Sequence, residues 1–135
     1  MQRSRDWLDQ GKRDLEHARQ SIGLGHFEWS CFAAQQAAEK ALKALHLHQG
    51  TVTWGHSVFE LLDGLPPDRR PTDELLDRAK VLDRFYIPPR YANAHPSGPP
   101  YRYYTRADAD QAVAIAEEVV TYCERQILQA GPAEG

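Results

Sequence analysis

The residue types most suited to chemistry stand close together between Arg90 and His95, where four residues separate a guanidinium from an imidazole. A histidine that titrates near neutral pH can take the proton of a ribose 2′-hydroxyl or protonate a leaving oxygen. An arginine can hold a phosphate and offset the charge of the transition state. Arg90 and His95 are therefore candidate catalytic residues for metal-independent cleavage of RNA. The spacing alone is a weak signal, because the chain contains six histidines.

The pair lies within a longer stretch, Arg84 to Arg106, which we call the arginine–tyrosine segment. It contains four arginines and no aspartate or glutamate, in a chain whose formal net charge is -3. It also holds five of the six tyrosines and five of the nine prolines. Arginine forks match phosphate geometry, tyrosine rings stack on bases, and prolines restrict the backbone that carries them. The alternative is a surface loop whose tyrosines pack on the rest of the protein. The predicted nucleotide- or RNA-binding residues are Arg84, Arg90, Tyr91, Asn93, Arg102 and Arg106.

Other kinds of site are disfavoured by the sequence. It has no Cys/His or H-E-x-x-H spacing for a metal ion, no glycine-rich phosphate loop, and no serine in a nucleophile-elbow context. We therefore expect neither a metal nor a cofactor. Cys31 and Cys123 stand among apolar residues of predicted helices and are interpreted as core residues.

Helices must position the candidate residues, because apolar residues recur at helical spacing and no alternating strand pattern is found. The length and the apolar spacing predict one all-α domain over residues 1–130, followed by a flexible tail at 131–135. Short connections between long helices favour an antiparallel up-and-down bundle. The five predicted helices cover about residues 5–24, 27–49, 57–65, 72–86 and 106–130.

Local signals mark the ends of these helices. Gly50 suits the left-handed conformation that ends the second helix. Ser57 and Glu60 form a capping-box pattern at the start of the third, and Thr105 is the expected N-cap of the fifth. No stretch is long and apolar enough to span a bilayer, and the charged N-terminus has no signal-peptide pattern. We therefore expect a cytoplasmic protein that does not act at a membrane.

Several stretches resemble one family. The predicted second helix reads CFAAQQAAEKALKAL from Cys31 to Leu45, and it resembles the signature helix of prokaryotic HEPN domains. So do His56-Ser57, the stretch from Leu82 to Tyr91, and the stretch from Tyr104 to Ala109. The sequence is therefore identified as a member of the small stand-alone HEPN proteins that are paired with minimal nucleotidyltransferases.

The resemblance implies an all-α bundle that forms a homodimer or a higher homo-oligomer. It implies a minimal nucleotidyltransferase as an antitoxin-like partner, with nucleotide or RNA as ligand. Arg90 would then contact the phosphate, and His95 would be the general base or acid. The toxin pattern of the family is broken at Tyr91 and at Ser97, which favours binding over catalysis.

Three functions stay open at this point, and whether the chain is an enzyme stays open with them. The first is a nucleotide- or nucleic-acid-binding module in a two-gene, toxin–antitoxin-like system. The second is a metal-independent ribonuclease toxin that uses Arg90 and His95. The third is a non-catalytic bundle that docks a partner.

Overall fold

The computed structural model describes the backbone of residues 2–134 and the side chains of residues 3–129. Within that range the chain forms five α-helices and no β-strand, and none of these helices is long and apolar enough to cross a membrane. The predicted all-α antiparallel bundle is confirmed. The helices are α1 (Gln2–Gly23), α2 (Phe27–His48), α3 (Val58–Asp63), α4 (Asp73–Asp83) and α5 (Arg106–Glu134).

Helix α2 lies at the centre of the bundle and packs against α1 and α5. Its alanines are buried, most of them completely, which lets the neighbouring backbones approach closely. The closest approach of α1 is at Gly11, where an added Cβ would lie 3.0 Å from the Ala37 carbonyl oxygen and 3.3 Å from the Ala41 amide nitrogen. A larger residue at this position would push the two helices apart.

Thr105 and Asp108 fix the start of α5 by a reciprocal cap. The Thr105 Oγ1 accepts the Asp108 N–H at 3.1 Å, and the Asp108 carboxylate accepts the Thr105 N–H at 2.9 Å. The predicted N-cap is confirmed. The cap ties the end of the arginine–tyrosine segment to the first turn of α5.

The start of α3 is capped by Ser57 and by a residue from another helix. The Ser57 Oγ accepts the Glu60 N–H at 3.0 Å, as predicted, but no hydrogen bond joins the Glu60 carboxylate to Ser57 among the described residues. The carboxylate at this helix start comes from Asp83 instead. It accepts the Val58 N–H at 2.6 Å, the Phe59 N–H at 3.3 Å and the Ser57 hydroxyl at 2.7 Å. A carboxylate also suits the positive end of the helix dipole. This cap ties α3 to the last residue of α4, directly before the arginine–tyrosine segment.

Three helix boundaries differ from the sequence prediction by three residues or more, and the first is the start of α1, at Gln2 instead of about residue 5. Helix α4 ends at Asp83, three residues before the predicted end, and Arg84 is its C-cap. Helix α5 continues to Glu134, into the stretch predicted as a flexible tail. The flexibility of residues 131–134 stays a prediction, and Gly135 lies outside the described residues.

Both cysteines are free and fully buried, as expected of core residues. Burial raises the pKa of the Cys31 thiol to about 12, and Asp108 and Glu28 add to the shift. Burial also holds the pKa of the Cys123 thiol above its usual range. Neither thiol is therefore a nucleophile at neutral pH.

Candidate functional site

The guanidinium of Arg90 is the most firmly held charge of the arginine–tyrosine segment. Its Nε donates to the Tyr86 carbonyl oxygen at 2.9 Å. Its Cζ lies 4.4 Å from the ring centroid of Phe32, 4.9 Å from that of Tyr86 and 5.1 Å from that of Tyr91. Electron-rich ring faces favour a cation in this position. The terminal Nη groups have no partner among the described residues, so they are available to an anion as a two-pronged donor.

Two parts of the fold position this guanidinium. Phe32 belongs to α2, and Tyr86 to the turn after α4; their ring centroids are 6.3 Å apart. The short 3-10 turn Pro88–Arg90 packs on α2, and its central Pro89 is buried. A proline at this point limits the backbone and fixes the direction in which Arg90 leaves it.

A buried carboxylate and a half-exposed imidazole lie beside the same aromatic rings. The Glu39 carboxylate, whose side chain is 5% exposed, is 3.0 Å from the His56 Nδ1 and 2.9 Å from the Lys43 Nζ. The His56 ring stacks on the Tyr86 ring with the centroids 4.6 Å apart. His56 and Arg90 therefore lie on the same tyrosine, and Glu39 orients the imidazole.

His95 is held by the turn that carries Arg90 and by two tyrosine rings. Its Nε2 is 2.9 Å from the Pro88 carbonyl oxygen, and its ring stacks on Tyr103 at 4.3 Å and meets the edge of Tyr104 at 5.7 Å. Among the described residues, no hydrogen bond, ion pair or ring contact joins it to Arg90. Arg90 therefore contacts the Tyr91 ring, and His95 contacts the turn that carries Arg90.

The other predicted site residues are spread over the exposed surface of the segment. Arg84 follows α4, Asn93 lies in the turn Ala92–Ala94, and Arg102 lies in the turn Pro100–Tyr103; all three are exposed. Arg106 begins α5, with its Cζ 5.4 Å from the Phe27 ring centroid. These side chains form an exposed basic border to the segment that holds the Arg90 guanidinium.

The arginines of the segment differ from most of the other cations in having no acidic partner among the described residues. Nine of the twelve lysines and arginines outside the segment pair with a carboxylate, for example Lys40 with Asp14 at 2.6 Å. None of the four inside the segment does so among the described residues. The protein therefore leaves its unpaired positive charge mostly in this stretch, where it can attract a negatively charged ligand.

Tyr104 closes the inner side of the segment against the bundle. Its ring lies 6.1 Å from that of Phe85. Burial raises the pKa of the Tyr104 hydroxyl to about 12, with further contributions from Cys31 and Asp108. The residue is therefore neutral at physiological pH and acts as packing, which agrees for Tyr104 with the predicted alternative of tyrosines packed on the bundle.

Sequence reasoning missed three of the side chains that build the site: Phe32, Glu39 and His56. A charged residue in the alanine-rich stretch of α2 was a signal for Glu39, because a carboxylate on a buried face needs partners. His56 carried no such signal, since its partner is 17 residues away in the chain. No group of three or more His, Cys, Asp and Glu side chains in the described part of the chain could hold a metal ion.

Solved structures of several similar proteins share this fold. A Thermus thermophilus protein, TT1696, is 52% identical with a TM-score of 0.91, over 93% of this chain and 99% of its own. An archaeal HEPN homologue, ST0689, is 40% identical with a TM-score of 0.79, over 94% and 99%. A HEPN domain protein from Thermotoga maritima is 39% identical with a TM-score of 0.71, over 89% and 95%.

A more distant relative is a curated protein of Methanocaldococcus jannaschii that bears the name "Putative toxin MJ1304". It is 24% identical over 123 residues, which are 84% of this chain and 81% of the relative. The HEPN domain model itself matches residues 4–126, nearly the whole chain. The chain therefore belongs to the HEPN domain family.

Proposed function

We propose that this HEPN domain protein is a nucleotide- or nucleic-acid-binding module that acts with a nucleotidyltransferase partner in a two-gene, toxin–antitoxin-like system. Arg90 contacts the phosphate. Arg84, Arg102 and Arg106 attract the strand, and Tyr91 and Asn93 contact it beside Arg90.

The held but unpaired guanidinium of Arg90 is the observation that carries this proposal. Its Nε is fixed by Tyr86 and its plane by the surrounding rings, while its Nη groups have no acidic partner among the described residues. Holding the side chain in advance lowers the entropy lost when a phosphate binds. An arginine with a purely structural role would instead donate these N–H groups to a carboxylate, as Arg70 does to Asp63 at 2.6 Å.

Binding is favoured over cleavage by Arg90 and His95 because the two side chains have different surroundings. One nitrogen of His95 is occupied by the Pro88 carbonyl oxygen, and its ring is packed against Tyr103 and Tyr104. A general base must reach the reacting hydroxyl beside the phosphate that the arginine holds. The Pro88 contact leaves the His95 Nδ1 as the ring acceptor, but no described contact joins His95 to the Arg90 guanidinium.

The partner and the toxin-like role are supported by the family and by the name of the Methanocaldococcus relative. Tagged protein purified from its native host should bring a small nucleotidyltransferase with it. Expression of the protein alone should slow growth, and co-expression of that partner should relieve the effect. Unimpaired growth together with purification of the protein alone would contradict this part of the proposal.

The binding part is tested with labelled single-stranded RNA and wild-type protein, measured by fluorescence anisotropy in the presence of a chelator. Arg90→Ala should weaken binding about tenfold or more, because a charge-assisted, two-pronged phosphate contact is lost. Arg19→Ala is the matched control: it makes the same change in net charge, but Arg19 is paired with Glu117 on the helical bundle. Equal affinities of the two variants would contradict Arg90 as the phosphate contact.

A further inference from the structure

The loop between α2 and α3, residues 49–57, presents an aromatic surface that the proposed function does not use. Trp54 is 87% exposed, more than any other large hydrophobic side chain in the described part of the chain. A single exposed aromatic residue is ordinary surface by itself, so a binding site here depends on the cavity that Trp54 lines. A tryptophan face is also the strongest single stacking surface that a side chain can offer.

The loop that carries Trp54 is anchored at its far end by buried side chains of α2. The fully buried Gln35 donates from its Nε2 to the His56 carbonyl oxygen at 2.9 Å, and Glu39 holds the His56 ring. Gly55, with a φ of 92°, makes the sharp turn between Trp54 and His56. Trp54 is therefore presented from a defined position, which lowers the entropic cost of stacking a ligand on it.

Trp54 lines a cavity of about 390 Å³, which is within the size range of small-molecule sites. Its wall contains the hydroxyls of Thr51 and Thr53, the amide of Gln49 and the carboxylate of Glu60, but no lysine or arginine among the described residues. A phosphate in this cavity would meet a carboxylate without a compensating cation, so an anion is disfavoured. A flat heterocycle that carries both hydrogen-bond donors and acceptors suits these groups.

Gln49 adds a specific reason for a ligand with an acceptor. Its Nε2 is buried and has no hydrogen-bond partner among the described residues. An unpaired buried donor costs free energy that a ligand acceptor could recover after a small rotation of the terminal amide. The Glu60 carboxylate could accept a hydrogen bond from an exocyclic amino group at the same time.

The cavity and the Arg90 site are connected through two shared neighbours, Ser57 and Tyr86. Ser57 lines it and also lines a smaller cavity of about 200 Å³ with His56, Asp83 and Tyr86. Tyr86 is the residue whose carbonyl and ring hold Arg90. The Trp54 cavity therefore lies on the same side of α3 as the residues that hold Arg90, its cap residue Ser57 being the link.

We propose that the cavity beside Trp54 is a nucleobase subsite. The base stacks on the Trp54 indole, Gln49 donates to a ring acceptor, and Glu60 accepts from an amino group. The subsite prefers adenine, cytosine or guanine to uracil, which has no exocyclic amino group. The inference rests on the proposed function only for the phosphate half of the ligand, because the base half does not involve Arg90.

Three ligands distinguish the base subsite at Trp54 from the phosphate site at Arg90: adenosine has only the base, ribose 5-phosphate only the phosphate, and AMP both. Binding is measured by tryptophan fluorescence and calorimetry. At millimolar concentration adenosine should quench the Trp54 fluorescence of the wild type, and uridine should do so less. Trp54→Ala should weaken adenosine and AMP binding about tenfold, in line with the loss of one stacked base, and should leave ribose 5-phosphate binding unchanged. Trp54→Phe should keep most of the calorimetric affinity while the quenching disappears.

Leu24→Ala is the matched control, because Leu24 is a 70% exposed apolar residue at the end of α1. Circular dichroism of each variant checks that the fold is intact, as expected for exposed side chains. No quenching by adenosine, or equal adenosine affinity of Trp54→Ala and the wild type, overturns the base subsite. Quenching by adenosine without any binding of ribose 5-phosphate or RNA leaves the subsite standing and contradicts the Arg90 anion site instead.

Discussion

The helical bundle and the arginine–tyrosine segment treat positive charge in opposite ways. On the bundle, cations are matched to carboxylates within a helix or across helices, as in Lys12 with Glu124 at 2.8 Å. In the segment, the arginines either lie on aromatic rings or are exposed to solvent, and none pairs with a carboxylate among the described residues. Exposed ion pairs contribute little stability, so pairing on the bundle mainly removes charge from its surface. The difference directs anionic ligands to one place on a protein whose net charge is negative.

Acidic substitutions in the arginine–tyrosine segment should have the largest effect, and that effect should be on RNA affinity. Ala92 and Ala94 are exposed residues on either side of Asn93. The double variant Ala92→Glu/Ala94→Glu should weaken single-stranded RNA binding by more than tenfold, about 1.4 kcal/mol, because two carboxylates compete with the phosphates. Anisotropy titration at fixed salt measures it.

The control for this variant is Gln20→Glu/Ala114→Glu, which adds the same charge at exposed positions of α1 and α5. If the control weakens RNA binding as much as the segment variant, net charge rather than the segment decides affinity. Stability of both variants should stay within about 0.5 kcal/mol of the wild type, as is usual for surface substitutions.

A change in the packed bundle should do the reverse and affect stability alone. Gly11→Ala should lower the free energy of unfolding by about 1 kcal/mol or more, because the new Cβ meets backbone atoms of α2 at 3.0 Å and 3.3 Å. Urea titration followed by circular dichroism measures the loss. RNA affinity should not change, and a parallel loss of affinity would mean that the two regions are coupled through α2.

A single exposed arginine of the segment should have a smaller effect than either. Arg102→Ala should weaken RNA binding about threefold and reduce the slope of log affinity against log salt concentration by about one. Arg13→Ala should change neither, because Arg13 lies on α1 and is paired with Glu16 at 3.2 Å. An unchanged salt slope for Arg102→Ala would remove this residue from the phosphate contacts.

The smallest effect expected is on the buried thiols. Cys31, with a pKa of about 12, is neutral at pH 8, and burial keeps Cys123 neutral as well. Iodoacetamide should therefore modify neither in native protein at pH 8, while both should react in urea. Because the folded protein favours the protonated thiols, their contribution to stability is present below the pKa of an unfolded thiol, about 8.5, and is lost as the pH rises toward 12. Rapid labelling of native protein would show that the core opens locally.

Helix positions and the basic segment could be predicted from the sequence because their causes are local. Apolar spacing, Gly50 and Thr105 fix helix ends within a few residues, and the run from Arg84 to Arg106 is visible as composition. The surroundings of Arg90 could not be predicted, because Phe32 reaches it from α2 and Tyr86 from the turn after α4. In the network around His56, local spacing occurs only within α2, as between Glu39 and Lys43 at 2.9 Å, among the described residues. Arg90 and His56 contact the same Tyr86 ring although they are far apart in the chain, and local spacing could not indicate this.

Asp83 links the start of α3 to the beginning of the arginine–tyrosine segment. Its carboxylate accepts the amides of Val58 and Phe59 at the start of α3, and the residue stands directly before the arginine–tyrosine segment. A ligand that restrains Arg90 and Tyr86 should therefore also restrain α3. Hydrogen–deuterium exchange of the Val58 and Phe59 amides should slow when RNA is bound, although neither amide touches the ligand. Slowed exchange at this helix would report occupancy of the site from a distance.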